Sequence, residues 1–442
     1  MIVYLLICGL ALIGLLLTII RINGAIFFTQ ITFWLFSFIG IISVLYLESN
    51  RVYIIEQFRE SFPNGAGIAL IALIFFHASG VLIGQKLYAQ NIITLQAHRP
   101  LRHRNANTEI IAFYLISSVL LALLYFNLII SPTPPLFSEG YIDRFTYLET
   151  TALWPVLSIF GAVTIPIPIM LGWLASRSRY NALTYGLIIL YLAYLTFIGQ
   201  KFGGFILGVF LFLLPTIVKR AASRTTKHYA KQIIFWGTIV GCIAIIPVLY
   251  HYSRYSLSDE FGGPLGLLLY RIFGLTGHTF WGSFNFFMHG PTDEFDPSSL
   301  FNGMQNIMLL LAPSIAQEMI ERGVNFTFGY FAANLLYLSI LAPFLLILFG
   351  FFQFLISYFL TKFVINEKPI EYFCVANLLV SASGFYGQGS LSYALNIKTV
   401  FLGATLILIL AMKSFLKSRR VARRRYENQD REQSHQTLRR EQ

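Results

Sequence analysis

Arg144, Lys201, Arg254, Arg271, His278 and Arg322 are the side chains whose types and placement could do chemistry in this chain. Each stands in a segment that interrupts long apolar runs. Arginine keeps its charge at any working pH and meets phosphate oxygens in pairs. A diphosphate leaving group gathers negative charge as its bond breaks, and fixed cations at a partly dry site stabilise that charge far better than water does. A histidine titrates near neutrality and can take the proton of an attacking hydroxyl. The set therefore suits a phosphate-bearing substrate, with His278, Arg254 and Arg271 closest to the reaction and Lys201, Arg144 and Arg322 holding the substrate.

The local spacing sharpens some of these roles and leaves others open. Lys201 lies in Gly199-Gln-Lys-Phe-Gly-Gly204, a tight turn whose glycines let backbone approach a ligand. Its plainer role is that of a lysine reaching the membrane interface. Arg254 closes His251-Tyr-Ser-Arg254 at the end of an apolar run, where an arginine among tyrosines is also a common anchor. Arg271 and His278 are seven residues apart, about two helical turns, and share a face if the helix continues through Gly274 and Gly277. His289 is the second histidine of the region. Arg322 either serves the site or pairs with Glu318 at i−4. Pro132-Thr-Pro-Pro-Leu-Phe leads to Asp143, Arg144 and Glu149, where a carboxylate is either a general base or, the reading favoured here, a partner of Arg144.

Nucleotide-driven chemistry is not expected: there is no phosphate-binding glycine loop, no dinucleotide fingerprint, no HExxH and no GxSxG. Cys8, Cys242 and Cys374 fall far apart inside apolar runs and suggest neither a metal site nor a disulfide framework. No metal and no cofactor is expected.

The elements that must position these residues are membrane helices. The 442 residues are 56% hydrophobic and 12% charged, with a mean hydropathy of +0.67, a composition of polytopic membrane proteins. Crossing hydrocarbon takes about 20 helical residues. Runs of that kind lie near 2–20, 25–46, 65–84, 109–131, 152–174, 183–199, 203–218, 233–250, 328–362, 370–388 and 397–413. The expected fold is all-α, with about eleven spans. The run 328–362 is too long for one straight span, and reads as a surface segment plus one span or as two half-membrane elements.

Lys and Arg crowd into 85–108, 175–182, 219–232 and the tail from Lys413 onward. These segments fall on one side, so they are expected in the cytoplasm, with the N-terminus outside and the C-terminus inside. The net charge of +12 is then a topology signal and attraction to anionic lipid, not a sign of nucleic acid. The expected organisation is spans one to eight over 1–250, an outer loop domain over 251–327, spans nine to eleven over 328–413 and a basic tail over 414–442. Pro264-Leu-Gly-Leu and Asn302-Gly-Met-Gln open two short amphipathic helices within the outer loop.

In this layout the chain resembles the Wzy-type O-antigen and capsule repeat-unit polymerases of bacterial inner membranes, which look like GT-C glycosyltransferases. The likeness rests on Pro134-Pro-Leu-Phe137 followed by Arg144, on Gly199-Gln-Lys201 between short spans and on Arg254 just past a span. It continues with a long outer loop ending in Gly323-Val-Asn-Phe-Thr-Phe-Gly329 before an aromatic-rich helix. The resemblance implies transfer of a growing glycan from undecaprenyl diphosphate onto a new lipid-linked repeat unit at the periplasmic face. It implies that Arg144, Lys201, Arg254 and Arg271 hold the two diphosphates, that His278 activates the acceptor, and that a chain-length regulator is a candidate partner. The O-antigen ligases share the layout, and lipid-linked-oligosaccharide flippases and generic transporters are the remaining readings.

Overall fold

The computed structural model describes residues 2–51, 62–88, 106–138, 142, 144–153, 165–177, 181–200, 202–222, 245–246, 248–254, 256–289, 297–321, 326–413 and 415. Among them every regular element is helical. Hydrocarbon offers backbone groups no water, so a spanning segment must bond its own N–H and C=O groups.

Helices α1 (Ile2–Ile22), α2 (Gly24–Thr29), α3 (Ile31–Asn50), α4 (Ala66–Leu87) and α5 (Ala106–Ile130) come first. A short α6 (Arg144–Thr150) precedes α7 (Pro166–Ala175), α8 (Asn181–Phe197) and α9 (Phe202–Ala222). Then α10 (Pro264–Tyr270), a π-helical turn (Arg271–Leu275) and α11 (Thr276–His289) follow without a break. They lead to α12 (Gly303–Leu311), α13 (Pro313–Glu321), α14 (Gly329–Leu338), α15 (Ala342–Ile365), α16 (Pro369–Gln388) and α17 (Leu391–Ala394). A last helix covers 397–413.

Among the described residues six helical stretches are long and apolar enough to cross a membrane: Leu5–Ile22, Ile31–Asn50, Ala66–Leu87, Thr108–Ile130, Gly203–Ala222 and Gly329–Ile365. Their outer faces are bare hydrocarbon, with Leu6, Leu10 and Leu17 on α1, Ile111, Leu115 and Ile129 on α5, and Phe344 and Phe352 on α15 all exposed. Such a belt is stable only against lipid. The chain is a multi-pass membrane protein.

Among the described residues two large hydrophobic cores fill the bundle, and a small third one joins the 248–253 stretch to α10 through Tyr252, Leu267 and Leu268. One large core joins α1, α3 and α4 to α11, α12, α14 and α15, through residues such as Trp34, Ile74, Trp281, Met308 and Phe354. The other joins α5, α7, α8 and α9 to the inner parts of α15 and α16, through Trp173, Tyr194, Leu211 and Tyr372. The segment expected as a separate outer domain over 251–327 thus shares its core with spanning helices. The closest seam is α4 on α15, where a Cβ on Gly80 would overlap the Ile347 carbonyl and one on Gly350 the His77 carbonyl. Small residues let helix backbones meet where water supplies no driving force. The pairs Gly84–Phe354 and Tyr88–Tyr358 continue the seam in one direction, so the two helices run parallel.

Two expected spans are divided. The run 25–46 breaks at Gln30, where φ −110° and ψ +9° end α2; Asn23 caps the start of α2 by accepting from the Ile26 N–H at 3.2 Å, and α3 continues to Asn50. The run 328–362 resolves into α14 and α15, separated by a 3-10 turn over Ser339–Leu341 that Ser339 enters with φ +46°. At ten residues, about 15 Å, α14 is half a span long. Residues 154–164 and 223–244, parts of two further expected spans, lie outside the described residues.

The α8–α9 hairpin separates two polar ends. At one end Arg177 and Lys219 both pair with Glu367, and Lys413 pairs with Glu371. At the other lies the turn at Gly199 and Gln200.

Candidate functional site

Three segments far apart in sequence meet at the Gly199 turn. Loop 132–138 is fastened to the end of α8, with Leu136 N–H donating to the Phe197 carbonyl at 3.3 Å and the Phe137 ring 5.4 Å from that of Phe197. Arg254, at the end of a helical stretch over 248–253, donates from Nη1 to the Pro135 carbonyl at 3.2 Å and from Nη2 to the Ser138 carbonyl. Its guanidinium lies 5.2 Å over the Tyr250 ring. Arg144, at the start of α6, donates to Gln200 Oε1. Gly199 takes φ +67°, and a Cβ there would stand 3.3 Å from Pro135 Cβ and 3.5 Å from His251 Cε1. That combination is open to glycine alone at little cost. Pro135, Thr196, Gly199, His251 and Arg254 line a small cavity of about 10 Å³, room for one water.

Arg144 and Arg254 are thus brought to one place, beside the turn that carries Lys201. Lys201 and Arg322 themselves lie outside the described residues, as does Asp143. Glu149 is exposed. Arg271 stands elsewhere. Its guanidinium lies 5.5 Å over the Tyr252 ring, and its Nε is buried with no hydrogen-bond partner. Tyr250 and Tyr252 are two residues apart, about 200° around a helix, so Arg254 and Arg271 flank opposite sides of the 248–253 stretch.

The expected face shared by Arg271 and His278 does not form. The helix does continue through both glycines, but residues 271–275 take the wider π-helical turn. A π turn uses an extra residue, so seven residues no longer close two turns and His278 swings off the face of Arg271. His278 is 2% exposed, with Nδ1 on the Leu275 carbonyl, Nε2 buried without a hydrogen-bond partner and its ring 4.9 Å from that of Phe326. Burial lowers its pKa to about 4 despite the bond to Leu275. At neutral pH it is an uncharged imidazole. Gly277, on the same turn, packs directly on α3: its N–H donates to Ser43 Oγ at 2.8 Å, and Ser43 donates to the Gly274 carbonyl at 3.1 Å.

A much larger cavity, about 1110 Å³, opens beside this end. Its walls come from Phe33 and Phe36 of α3, Ile206 and Leu207 of α9, Phe328 and Phe331 at α14, and Ser383 and Tyr386 of α16. Gly203, three residues past Gln200, is among its lining, so one edge of the cavity lies close along the chain to the turn that faces Arg254. Among the described lining residues only Lys398 is charged. Gln388 also lines it, with a buried Oε1 that has no hydrogen-bond partner. Walls that are mostly apolar in area, with interspersed polar groups such as Ser383, Gln388 and Lys398, suit the chain of an amphiphile.

Sequence reasoning did not single out Gln200, Tyr250 or Tyr252 as partners of the arginines, nor Lys398. Only Lys398 carried a signal, as a cation at the head of an apolar run.

Residues 297–403 match the model of a family of unknown function (DUF6418). The match takes in α12 to α17 and with them the α14 and α16 walls of the large cavity and Lys398. No curated protein and no solved structure matches the chain.

Proposed function

We propose that this protein polymerises undecaprenyl-diphosphate-linked oligosaccharide repeat units at the periplasmic face of a bacterial inner membrane. The observation that carries the reading is the meeting of Arg144, Arg254 and the Gly199–Gln200 turn at one end of the bundle, directly beside a large, mostly apolar cavity. A lipid-linked sugar has those same parts in that order: a hydrocarbon chain, a diphosphate and a glycan. Two such substrates take part in each polymerisation step. Cations on opposite flanks of the 248–253 stretch, Arg254 with Arg144 on one and Arg271 on the other, fit two diphosphates better than one.

In this reading the acceptor hydroxyl attacks the anomeric carbon of the donor glycan. The bond from that carbon to the diphosphate oxygen breaks, a glycosidic bond forms, and undecaprenyl diphosphate leaves with both electrons of the broken bond. The acceptor proton passes to a base, a carboxylate in this reading, because His278 is buried behind Phe326. Arg254 and Arg144, with Lys201 on the intervening turn, stabilise the charge growing on the leaving diphosphate. In this reading eleven spans would put the N-terminus and 251–327 in the periplasm and the basic tail in the cytoplasm. The grouping of Arg177, Lys219 and Lys413 away from the Gly199 turn supports that sidedness.

A deletion strain decides among the readings. Loss of a polymerase leaves single repeat units on the cell surface, loss of a ligase leaves long chains unattached, and loss of a flippase leaves no surface sugar. Reporter fusions near residue 290 report the periplasm if the site faces outward. A cytoplasmic signal there would remove the mechanism along with the topology.

A further inference from the structure

His77 is fully buried in the middle of α4, one of the six candidate spans. An ionisable side chain at such a position is rare and points to function. Both of its nitrogens are engaged. With the Gln353 amide oxygen facing Nε2, that nitrogen carries the proton and donates, leaving Nδ1 to accept from the Tyr330 hydroxyl at 3.0 Å. The network runs on: Ser357 Oγ donates to the Gln353 carbonyl at 2.9 Å and accepts from Gln30 Nε2 at 3.0 Å. It therefore ties α14 to α4, α15 and the α2–α3 junction.

What it ties down is held by its surroundings alone, this network together with the apolar core that buries eight of the ten residues of α14. The half-helix α14 is bounded by two non-glycine residues with positive φ, Phe328 at +63° and Ser339 at +46°. Such backbone persists only where its surroundings over-determine it, and ten residues are too few for a self-sustaining helix. Two of the four rings packed on His77 are also cavity walls: Phe33 at 4.6 Å and Tyr386 at 5.5 Å between centroids. Tyr386 is held in turn by its bond to the Phe349 carbonyl at 3.1 Å.

We propose that His77 is the positioning residue of the large cavity, pinning α14 to α15 through Tyr330 and Gln353 and fixing Phe33 and Tyr386 as its wall. This holds whatever the cavity takes.

The test uses full-length protein in native membranes, with Cys8, Cys242 and Cys374 replaced by Ala and a single Ser383→Cys on the cavity wall. A membrane-permeant maleimide reports access to that thiol, and Glu260→Cys, at an exposed position outside the candidate spans, serves as reference. His77→Ala should raise the labelling rate at least fivefold relative to the reference. His77→Gln, whose amide can both donate to Gln353 and accept from Tyr330, should stay within twofold of the parent. Parental rates in His77→Ala, or equal rises in both variants, would reduce His77 to a satisfied buried side chain. Should His77→Ala fail to accumulate, Tyr330→Phe decides with ¹⁵N-histidine spectra. The neutral, Nε2-protonated resonance that His77→Gln removes should shift at Nδ1 in Tyr330→Phe, and an unmoved signal overturns the proposal.

Discussion

Replacing Arg254 by Ala separates the two things this side chain is asked to do. Structurally it donates to the Pro135 and Ser138 carbonyls and covers the Tyr250 ring, tying loop 132–138 to the end of the 248–253 stretch. Hydrogen bonds to a charged group contribute roughly 1.5–3 kcal/mol each when buried, and Arg254 is only half-buried, so about 2–3 kcal/mol for the pair is the reasonable figure. Catalytically, a cation aimed at charge that develops on a leaving group is worth about 3–4 kcal/mol, or 10²–10³ in rate. The first loss lowers the amount of folded protein; the second lowers turnover by each folded molecule. Initial rates of extension of a purified lipid-linked repeat, normalised to monodisperse protein, should therefore fall about 10²–10³-fold in Arg254→Ala. Arg254→Lys keeps the charge but cannot span two carbonyls with one ammonium, and should fall about tenfold. If Arg254→Ala extends chains at the parental rate per folded molecule, the arginine is an interfacial tie and the site must be sought elsewhere.

Arg271→Ala removes the cation over Tyr252 and should abolish long-chain product with membrane abundance near parental, as read by product ladders beside immunoblots. Gly199→Ala forces a Cβ into φ +67° within 3.3 Å of Pro135; about 1–2 kcal/mol of backbone strain should lower the melting temperature in detergent and reduce extension. Gly350→Leu drives a side chain into the His77 carbonyl across the α4–α15 seam and should leave little folded protein by fluorescence size-exclusion, while Phe352→Leu on the exposed face of the same helix should be silent. His278 keeps a pKa of about 4 in the fold against 6.5 in the unfolded chain. Between those values the unfolded chain binds a proton that the native state does not, so its contribution is present above about pH 6.5 and is lost as pH falls toward 4. The loss amounts to up to roughly 3 kcal/mol. His278→Gln should show a correspondingly flatter stability profile over that window, and an unchanged slope would mean the imidazole reaches solvent.

The pattern of residues along this chain was enough to establish that it is helical and crosses a membrane. Runs such as Leu5–Ile22 and Ala66–Leu87 have no other stable state in hydrocarbon, where each segment must satisfy its own backbone. It also located Arg144 and Arg254 as cations in rare interruptions of apolar sequence, because a charge between apolar runs is legible without any knowledge of contacts. Where local geometry departs from the regular helix, periodicity failed. The π turn at Arg271 sends His278 to a buried position behind Phe326. The length of the run 328–362 foretold its division, but only the structure put the break at Ser339 in positive φ. Neither departure changes the hydropathy of the run that contains it. Tertiary structure alone decided which distant groups meet. Pro135 and Ser138 reach Arg254 across more than a hundred residues, and Gln200 reaches Arg144, because two helix ends and a loop close on one glycine whose φ no other residue would adopt cheaply. His77 stood in plain view as an ionisable residue inside an apolar run. Its partners Tyr330 and Gln353 lie more than 250 residues away, brought to it by a parallel helix seam that small residues permit and no local pattern records.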